Sequence, residues 1–311
     1  MIKVRGLSKR FGPNLAVDAI DLDVGEGEVF GFLGPNGAGK TTTVRMLACL
    51  IAPTAGEATV GGWRVGRDDH EIRRHIGILT EAPGLYERFS AYFNLDFYAR
   101  LYGVPAPRRA LQVEKYLTLL GLWERRQEKV GTFSKGMKQK MAIARCIVHE
   151  PRVLFLDEPT SGLDPEAART VRDFIAGLKA EGRTIFLCTH NLDEAERLCD
   201  RIAIMKQRIV GTGAPAELRR DLQGSKTILH LVGPQPQVLE AVRRLPFAQE
   251  AHAEGERIVI PVDDPDTQNP QIVRQAVLAG GEIRYVTEHR ASLEEVYLSL
   301  VGGGGPREGE P

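Results

Sequence analysis

Residues Gly34 to Thr42 read GPNGAGKTT, after the apolar run Val29 to Leu33 and before Val44, Arg45, Met46 and Leu47. The stretch satisfies G-x-x-x-x-G-K-[ST], a spacing that lets a loop fold around an anion with its backbone N–H groups turned inward. Glycine at 34, 37 and 39 matters because such a loop needs torsions that a side chain would obstruct. Pro35, Asn36 and Ala38 fill out the cradle, and Lys40 brings a mobile cation to the outer phosphates of a nucleotide. Thr41, the first hydroxyl after that lysine, suits Mg²⁺, and Thr42 is placed for a further phosphate contact; the helix that follows aims its positive end at the same anion. A plain glycine-rich turn between strand and helix is the alternative.

A second candidate is Phe133 to Gln139, FSKGMKQ, which runs into Met141, Ala142, Ile143, Ala144, Ile147 and Val148 at helical spacing. Ser134 is a good cap for that helix. Either it does no more, or its hydroxyl and the Gly136 N–H make a second phosphate site at a helix N-terminus. The third is Val153 to Pro159, VLFLDEP. An apolar run closed by two acids reads as a central parallel strand with charge at its carboxyl end, the edge on which open α/β sheets place ligands. Asp157 is a hard oxygen donor for Mg²⁺. Glu158, directed differently, suits the polarisation of an attacking water, a role worth roughly 10²- to 10⁴-fold in rate. Solvated turn acids would not end so apolar a strand, because desolvating them unpaired is costly. Asp164 follows in SGLD and can cap the helix opened by Pro165. His190 ends the next strand, Thr184 to Thr189, on the same edge and reads as a γ-phosphate contact.

Positioning these groups requires a sheet and the elements around it. Ile2 to Leu7 and Ala19 to Val24 alternate as strands, with a turn at Phe11 to Asn14. Phe11 stays open: it could stack on adenine or serve as an ordinary turn aromatic. Gly56 to Val65 reads as a glycine-punctuated strand pair, and Ile76 to Thr80 as a short buried strand ended by Glu81. Ser90 to Gly121 is helical with a break at Gly103 to Pro107, mostly core, with some aromatics available to a partner. Beyond Gly211 to Pro215 the pattern changes. Lys226 to Val232, Phe247 to Ala251, Arg257 to Val262 and Ile283 to Thr287 read as strands, Pro236 to Leu245 and Asn269 to Ala279 as helices. That order, β-α-β-β-α-β, is ferredoxin-like. No catalytic constellation falls in it, so it is either a stabilising or dimer-supporting appendage or a ligand-sensing regulator. The glycine-rich, charged tail 302–311 is expected to be disordered.

The chain has 311 residues, enough for two domains, and its 42% hydrophobic content can fill a core. Lys plus Arg and Asp plus Glu both number 41, so no global basic field argues for a nucleic-acid partner. Cys49, Cys146, Cys188 and Cys199 lack C-x-x-C spacing, which favours reduced core thiols and a reducing compartment over metal ligands or disulfides. No apolar run approaches the roughly 18 residues of a spanning helix, and Met1 to Arg10 lacks a signal peptide's apolar segment, so the chain is expected neither to cross a membrane nor to be exported.

Taken together, these stretches resemble the nucleotide-binding subunit of an ATP-binding cassette (ABC) transporter. GPNGAGKTT stands as Walker A, FSKGM in the place of the LSGGQ signature, VLFLDEP as Walker B, SGLD as the D-loop and His190 as the switch histidine. The resemblance implies an α/β ABC ATPase cassette over residues 1–218, comprising a P-loop core, an antiparallel β subdomain and a helical insertion at about 86–150. A small α+β accessory domain at 222–301 completes it, its ending ASLEEVYLSLVG like that of exporter-type subunits. It also implies a head-to-tail homodimer in which each Mg-ATP lies between Walker A of one chain and Ser134 with Gly136 of the other. Asp164 would cross that interface, Phe11 would stack on adenine, and Glu158 would be the catalytic base. The signature departs from the common form at Lys135 and Met137 but keeps the serine and the second glycine. Glu81 replaces the usual Q-loop glutamine and could ligate Mg²⁺ through oxygen. The implied partner is a separate integral membrane subunit, gripped by the Tyr86 to Gly121 helices, with the chain peripheral on the cytoplasmic face. Two other classes stay open: a soluble ABC ATPase acting on ribosomes, DNA or cofactor assembly, and a nucleotide-binding regulator without turnover.

Overall fold

A computed structural model describes residues 1–80, 84–223, 225–290 and 292–302 of the chain. Glu81 and the tail residues 303–311 lie outside the described residues. Two compact units divide at Pro215 and Ala216.

The first unit contains, in chain order, β1 (Ile2–Phe11), β2 (Asn14–Val24), β3 (Val29–Leu33), α1 (Lys40–Leu47), β4 (Ala55–Val60), β5 (Trp63–Arg64), α2 (Asp69–His75), β6 (Ile76–Leu79), α3 (Ala91–Leu101) and α4 (Ala106–Leu119). It continues through α5 (Lys135–Ile147), β7 (Val153–Asp157), α6 (Pro165–Ala180), β8 (Thr184–Thr189), α7 (Leu192–Leu198), β9 (Arg201–Lys206) and β10 (Arg208–Gly213). Two sheets result, a six-stranded one in the order β10-β9-β3-β8-β7-β6 and a four-stranded antiparallel one in the order β2-β1-β4-β5. Pairing is parallel from β9 through β3, β8 and β7 to β6, and antiparallel only at the β10 edge.

The continuous apolar runs explain this arrangement. VFGFL in β3, VLFLD in β7 and TIFLCT in β8 are buried at every residue, as strands covered on both faces must be. Phe186 sits among Phe30, Phe32 and Phe155, with ring centroids 5.6, 5.2 and 5.7 Å away. Each such ring contributes about 2–3 kcal/mol by leaving water. The same cluster takes in Ile2, Val4 and Leu7 of β1, which fastens the antiparallel sheet to the parallel one.

The second unit holds β11 (Ser225–Leu231), α9 (Pro236–Arg243), β12 (His252–Glu254), β13 (Arg257–Val262), α10 (Pro265–Leu278), β14 (Ile283–Arg290) and α11 (Leu293–Gly302), after α8 (Pro215–Gln223) has led out of the first. Its sheet order, β12-β13-β11-β14, is antiparallel throughout and is that of a ferredoxin-like fold.

Several elements depart from the sequence expectation. β1 runs on to Phe11 and β2 starts at Asn14, because register shifts after Val4 and Leu7 interrupt the alternation without ending the ladder. Phe247 to Ala251 is not a strand; the pairing segment is His252–Glu254, opposite Arg257 to Val259. α10 begins at Pro265, not Asn269, and carries Pro270 inside it. α2, β9 and β10 have patterns too short or too mixed to read in advance.

Candidate functional site

The phosphate-binding stretch hangs between β3 and α1. Gly37 and Gly39 have φ of 79° and 103°, in the left-handed region where a side chain is strained. A Cβ on Gly34 would approach the Met205 carbonyl oxygen to 2.5 Å, and one on Gly39 would fall on the Ala16 carbonyl. The loop is therefore fixed by close backbone packing against β2 and β9. Its N–H and carbonyl groups are tied in as well: Ala38 donates to the Pro35 carbonyl at 3.2 Å, and Gln207 to the Ala38 carbonyl at 3.0 Å. Lys40 is buried, its ammonium donating to the Gly34 and Pro35 carbonyls at 2.6 and 3.1 Å. These bonds hold a cation in the centre of the loop.

Thr41 Oγ1 donates to Asp157 Oδ2 at 2.7 Å, joining the start of α1 to the end of β7 across 116 residues of chain. Asp157 is 3% exposed. The paired hydroxyl and carboxylate are hard oxygen donors at the edge of the anion loop, a donor set that fits Mg²⁺. Glu158 leaves the strand at φ 51°, a left-handed turn that costs a residue with a side chain about 1–2 kcal/mol. Its N–H still pairs with the Cys188 carbonyl of β8 at 2.9 Å. The turn sends its carboxylate to His190, whose Nδ1 lies 2.7 Å from Glu158 Oε1. His190 follows β8 directly, so the two central strands deliver acid and histidine to one edge. Under them the Cys188 thiol is buried, and burial, then the Asp157 and Glu158 charges, push its pKa well up. That thiol stays protonated and forms an inert floor.

Asn36, Asp157, Glu158, Ser161 and His190 share a cleft of about 680 Å³ with Thr80 and with Phe133, Lys135, Lys138 and Gln139 from the start of α5. Ser134 and Gly136 are not in its wall among the described residues. Ser134 caps α5, accepting from the Met137 N–H at 3.3 Å, and is exposed. Asp164 caps α6 in the same manner, accepting from the Ala167 N–H at 2.8 Å, and a Cβ on Gly136 would lie 3.9 Å from its Oδ2. Signature and D-loop thus lie side by side, with Ser134 and Asp164 exposed and Gly136 partly so. Phe11 closes the β1–β2 hairpin opposite Asn14, half exposed, with the Lys9 ammonium 5.0 Å above its ring. Thr42 lies in the first turn of α1, half-buried. The four cysteines are free thiols, three of them buried.

Comparison with known proteins places this geometry. A family model described as ABC transporter matches residues 17–161, and one for the C-terminal domain of DrrA1-3-like ATP-binding proteins matches residues 213–301. The Nod factor export ATP-binding protein I of Burkholderia thailandensis is 37% identical over 303 residues, covering 97% of both chains. The chain belongs to the ABC transporter ATP-binding proteins. The daunorubicin resistance ATP-binding protein DrrA3 of Streptomyces coeruleorubidus is 36% identical to this subunit over 305 residues, 97% of the chain and 96% of its own length. Among solved structures, an ATP-binding subunit of an ABC transporter superposes with a TM-score of 0.66 at 32% identity, covering 71% of this chain and 92% of its own. A dimeric cassette in a post-hydrolysis state with ADP and Pi reaches 0.63 at 25% identity, covering 69% and 98%. The subunit is an ATPase that drives transport.

Some residues of the site gave no signal in the sequence. Gln139 donates to the Pro159 carbonyl at 2.9 Å and ties the signature helix to the segment after Glu158. Thr160 and Glu194 meet behind that segment at 2.8 Å. Asn191, Leu192 and Asp193 mark a helix start, and a glutamate three residues after the asparagine reads as capping alone.

Proposed function

We propose that this ABC subunit works as a head-to-tail homodimer that hydrolyses Mg-ATP and powers export through a separate integral membrane subunit. In this reading Gly34 to Gly39 wrap the phosphates, Lys40 neutralises the outer ones, Thr42 adds a contact and Phe11 packs on the adenine. Ser134 and Gly136 close over the nucleotide held by the other copy, and Asp164 crosses the interface beside them. The exposure of Ser134 and Asp164, and the absence of all three from the lining of their own chain's cleft, supports a role in trans. Thr41 and Asp157 would hold Mg²⁺, which when bound screens the phosphate charge. Glu158 accepts a proton from the attacking water, and His190 keeps the carboxylate aimed and meets the γ-phosphate.

The observation that carries the reading is the coincidence at one sheet edge of the Thr41–Asp157 and Glu158–His190 bonds, both 2.7 Å. Export is supported by the names of the relatives, which are export and resistance ATP-binding proteins. The exposed aromatics Tyr86, Phe89 and Phe93 beside the segment after β6 supply a surface for the membrane partner.

Glu158→Gln tests the chemistry. Turnover should fall by roughly 10²- to 10⁴-fold while ATP still binds and gel filtration shows a trapped dimer. Unchanged turnover rejects Glu158 as the base, and a strictly monomeric ATP-bound chain rejects the trans site. Co-purification from gently solubilised membranes tests the partner: recovery with ribosomes and no integral membrane protein would overturn the transport assignment.

A further inference from the structure

Glu194 is a carboxylate that local structure does not account for. It stands third in α7, after the cap Asn191, where a glutamate ordinarily reaches back to the cap's own N–H and stays in water. Here the Asn191 N–H is taken by Thr189 Oγ1 at 3.0 Å, and Asn191 itself caps through the Glu194 N–H at 3.1 Å. The cap is complete without the carboxylate. That group turns inward instead and is 1% exposed. Burial raises its pKa, the Thr189 and Thr160 hydroxyls work against that rise, and the negative charge of Glu158 adds to it. One oxygen, Oε1, accepts from Thr160 Oγ1 at 2.8 Å; the other, Oε2, is buried with no hydrogen-bond partner among the described residues.

Burying a half-satisfied carboxylate is costly. The position of its partners shows what that cost secures. Thr160, which donates to the carboxylate, stands two residues after Glu158, while Asn191, which accepts from the Glu194 N–H, donates its own N–H to Thr189 immediately before His190. The two segments come from different strands, β7 and β8, and the backbone bond from the Glu158 N–H to the Cys188 carbonyl at 2.9 Å is the last one between them among the described residues before the chain turns away. Glu158 sits on a strained left-handed turn whose outgoing side is otherwise anchored by Gln139 at Pro159.

We infer that Glu194 is a positioning residue: its carboxylate clamps the segment after Glu158 to the start of α7, whose cap is tied to Thr189 just before His190, and so fixes the carboxylate–imidazole pair in its reacting geometry. This inference rests on the roles proposed above for Glu158 and His190. Glu194 does not line the cleft, and it acts only through those two residues.

The test uses the full chain under conditions where it hydrolyses ATP. Glu194→Ala should lower kcat by about tenfold or more, since small misplacements of reacting groups carry losses of that order, while KM for ATP stays within about twofold. Glu194→Gln keeps an oxygen for Thr160 and should restore most of the turnover; Thr160→Val should resemble the alanine variant. A double-mutant cycle with His190→Ala separates this role from a general loosening of the fold. Once the imidazole is gone there is no pair left to align, so adding Glu194→Ala should reduce kcat by less than about twofold further. Multiplying losses in the double variant would overturn the inference, as would a Glu194→Ala enzyme with unchanged kcat, or one whose KM alone rises. If Glu158→Gln still turns over, the catalytic reading itself has failed; if Glu158→Gln is dead and Glu194→Ala is not, only the clamp has.

Discussion

In the first unit β3, β7 and β8 are apolar and buried along their length, and polar groups appear only where they end. In the second unit β11 alternates, with Thr227, Leu229 and Leu231 buried and Lys226, Ile228 and His230 less so, and its buried leucines pack with α9 and α10. Burial of polar side chains follows the same division. Lys40, Asp157, Thr189 and Glu194 are buried at one edge of the parallel sheet, whereas Thr227, bonded to Asn269, is the buried polar residue of the second unit among those described. Desolvated polar groups cost several kcal/mol unless paired, and folds retain them where position matters more than stability. The contrast teaches that the first unit accepts strain and buried charge for chemistry, and that the second is built to pack.

The sharpest way to break this contrast is to disturb the loop without touching any functional side chain. Gly39→Ala forces φ 103° on a residue with a Cβ and drives that Cβ into the Ala16 carbonyl, with Met205 Cε 2.8 Å away. A shift of about 1 Å in the loop should cost about 100-fold or more in nucleotide affinity, read by isothermal titration calorimetry. Unfolding of the second unit should not change.

The converse variant is Ile260→Ala, which deletes a fully buried side chain from the centre of β13. It should destabilise the second unit by about 2–5 kcal/mol, measured by urea denaturation, and leave ATP affinity within about twofold. A matching fall in affinity would show that the accessory domain is energetically part of the nucleotide site.

What the sequence revealed follows the same contrast. The anion loop was legible because glycine, lysine and threonine act there in one contiguous stretch, and β7 because an apolar run that ends in acids has few other uses. The fold class was legible through the resemblance that the ordered motifs from Gly34 to His190 bear to ABC cassettes. Glu194 was not, since its Asn191-x-x-Glu spacing is satisfied by a surface cap, and only the tertiary structure shows the carboxylate turned inward. The hairpin β12–β13 was displaced because Phe247 and Ala248 are apolar for packing under α9, not for pairing. α10 was cut short because Pro270 reads as a first-turn proline, whereas Pro265, after Asp264, holds that place.

The smallest effect concerns how each unit holds a histidine. His149, just beyond α5, is stacked on Tyr102 at 3.7 Å and gives its Nε2 to the Ile76 carbonyl at 3.0 Å. Burial lowers its pKa to about 4, against the Ile76 bond, with His75, Arg145 and Arg183 adding repulsion. His230 in the second unit also stacks on an aromatic, Tyr285, but is only partly buried. Because the folded pKa of His149 lies below its unfolded value near 6.5, the unfolded chain binds the proton first. Stability is therefore complete above about pH 6.5 and is lost as the pH falls toward 4, by about 2 kcal/mol at pH 5. His149→Phe keeps a flat ring against Tyr102 and has no proton to take. The difference in the first unit's stability between pH 7 and pH 5, by urea denaturation, should shrink by about 2 kcal/mol in that variant. Burial and the Arg257 charge lower the His230 pKa as well, without the large shift of His149. His230→Phe should therefore shrink the pH dependence of the second unit by less than the His149 variant shrinks that of the first. Equal responses in the two units would show that stacking alone, without burial, sets the titration, and would erase the difference in how they treat buried polar groups.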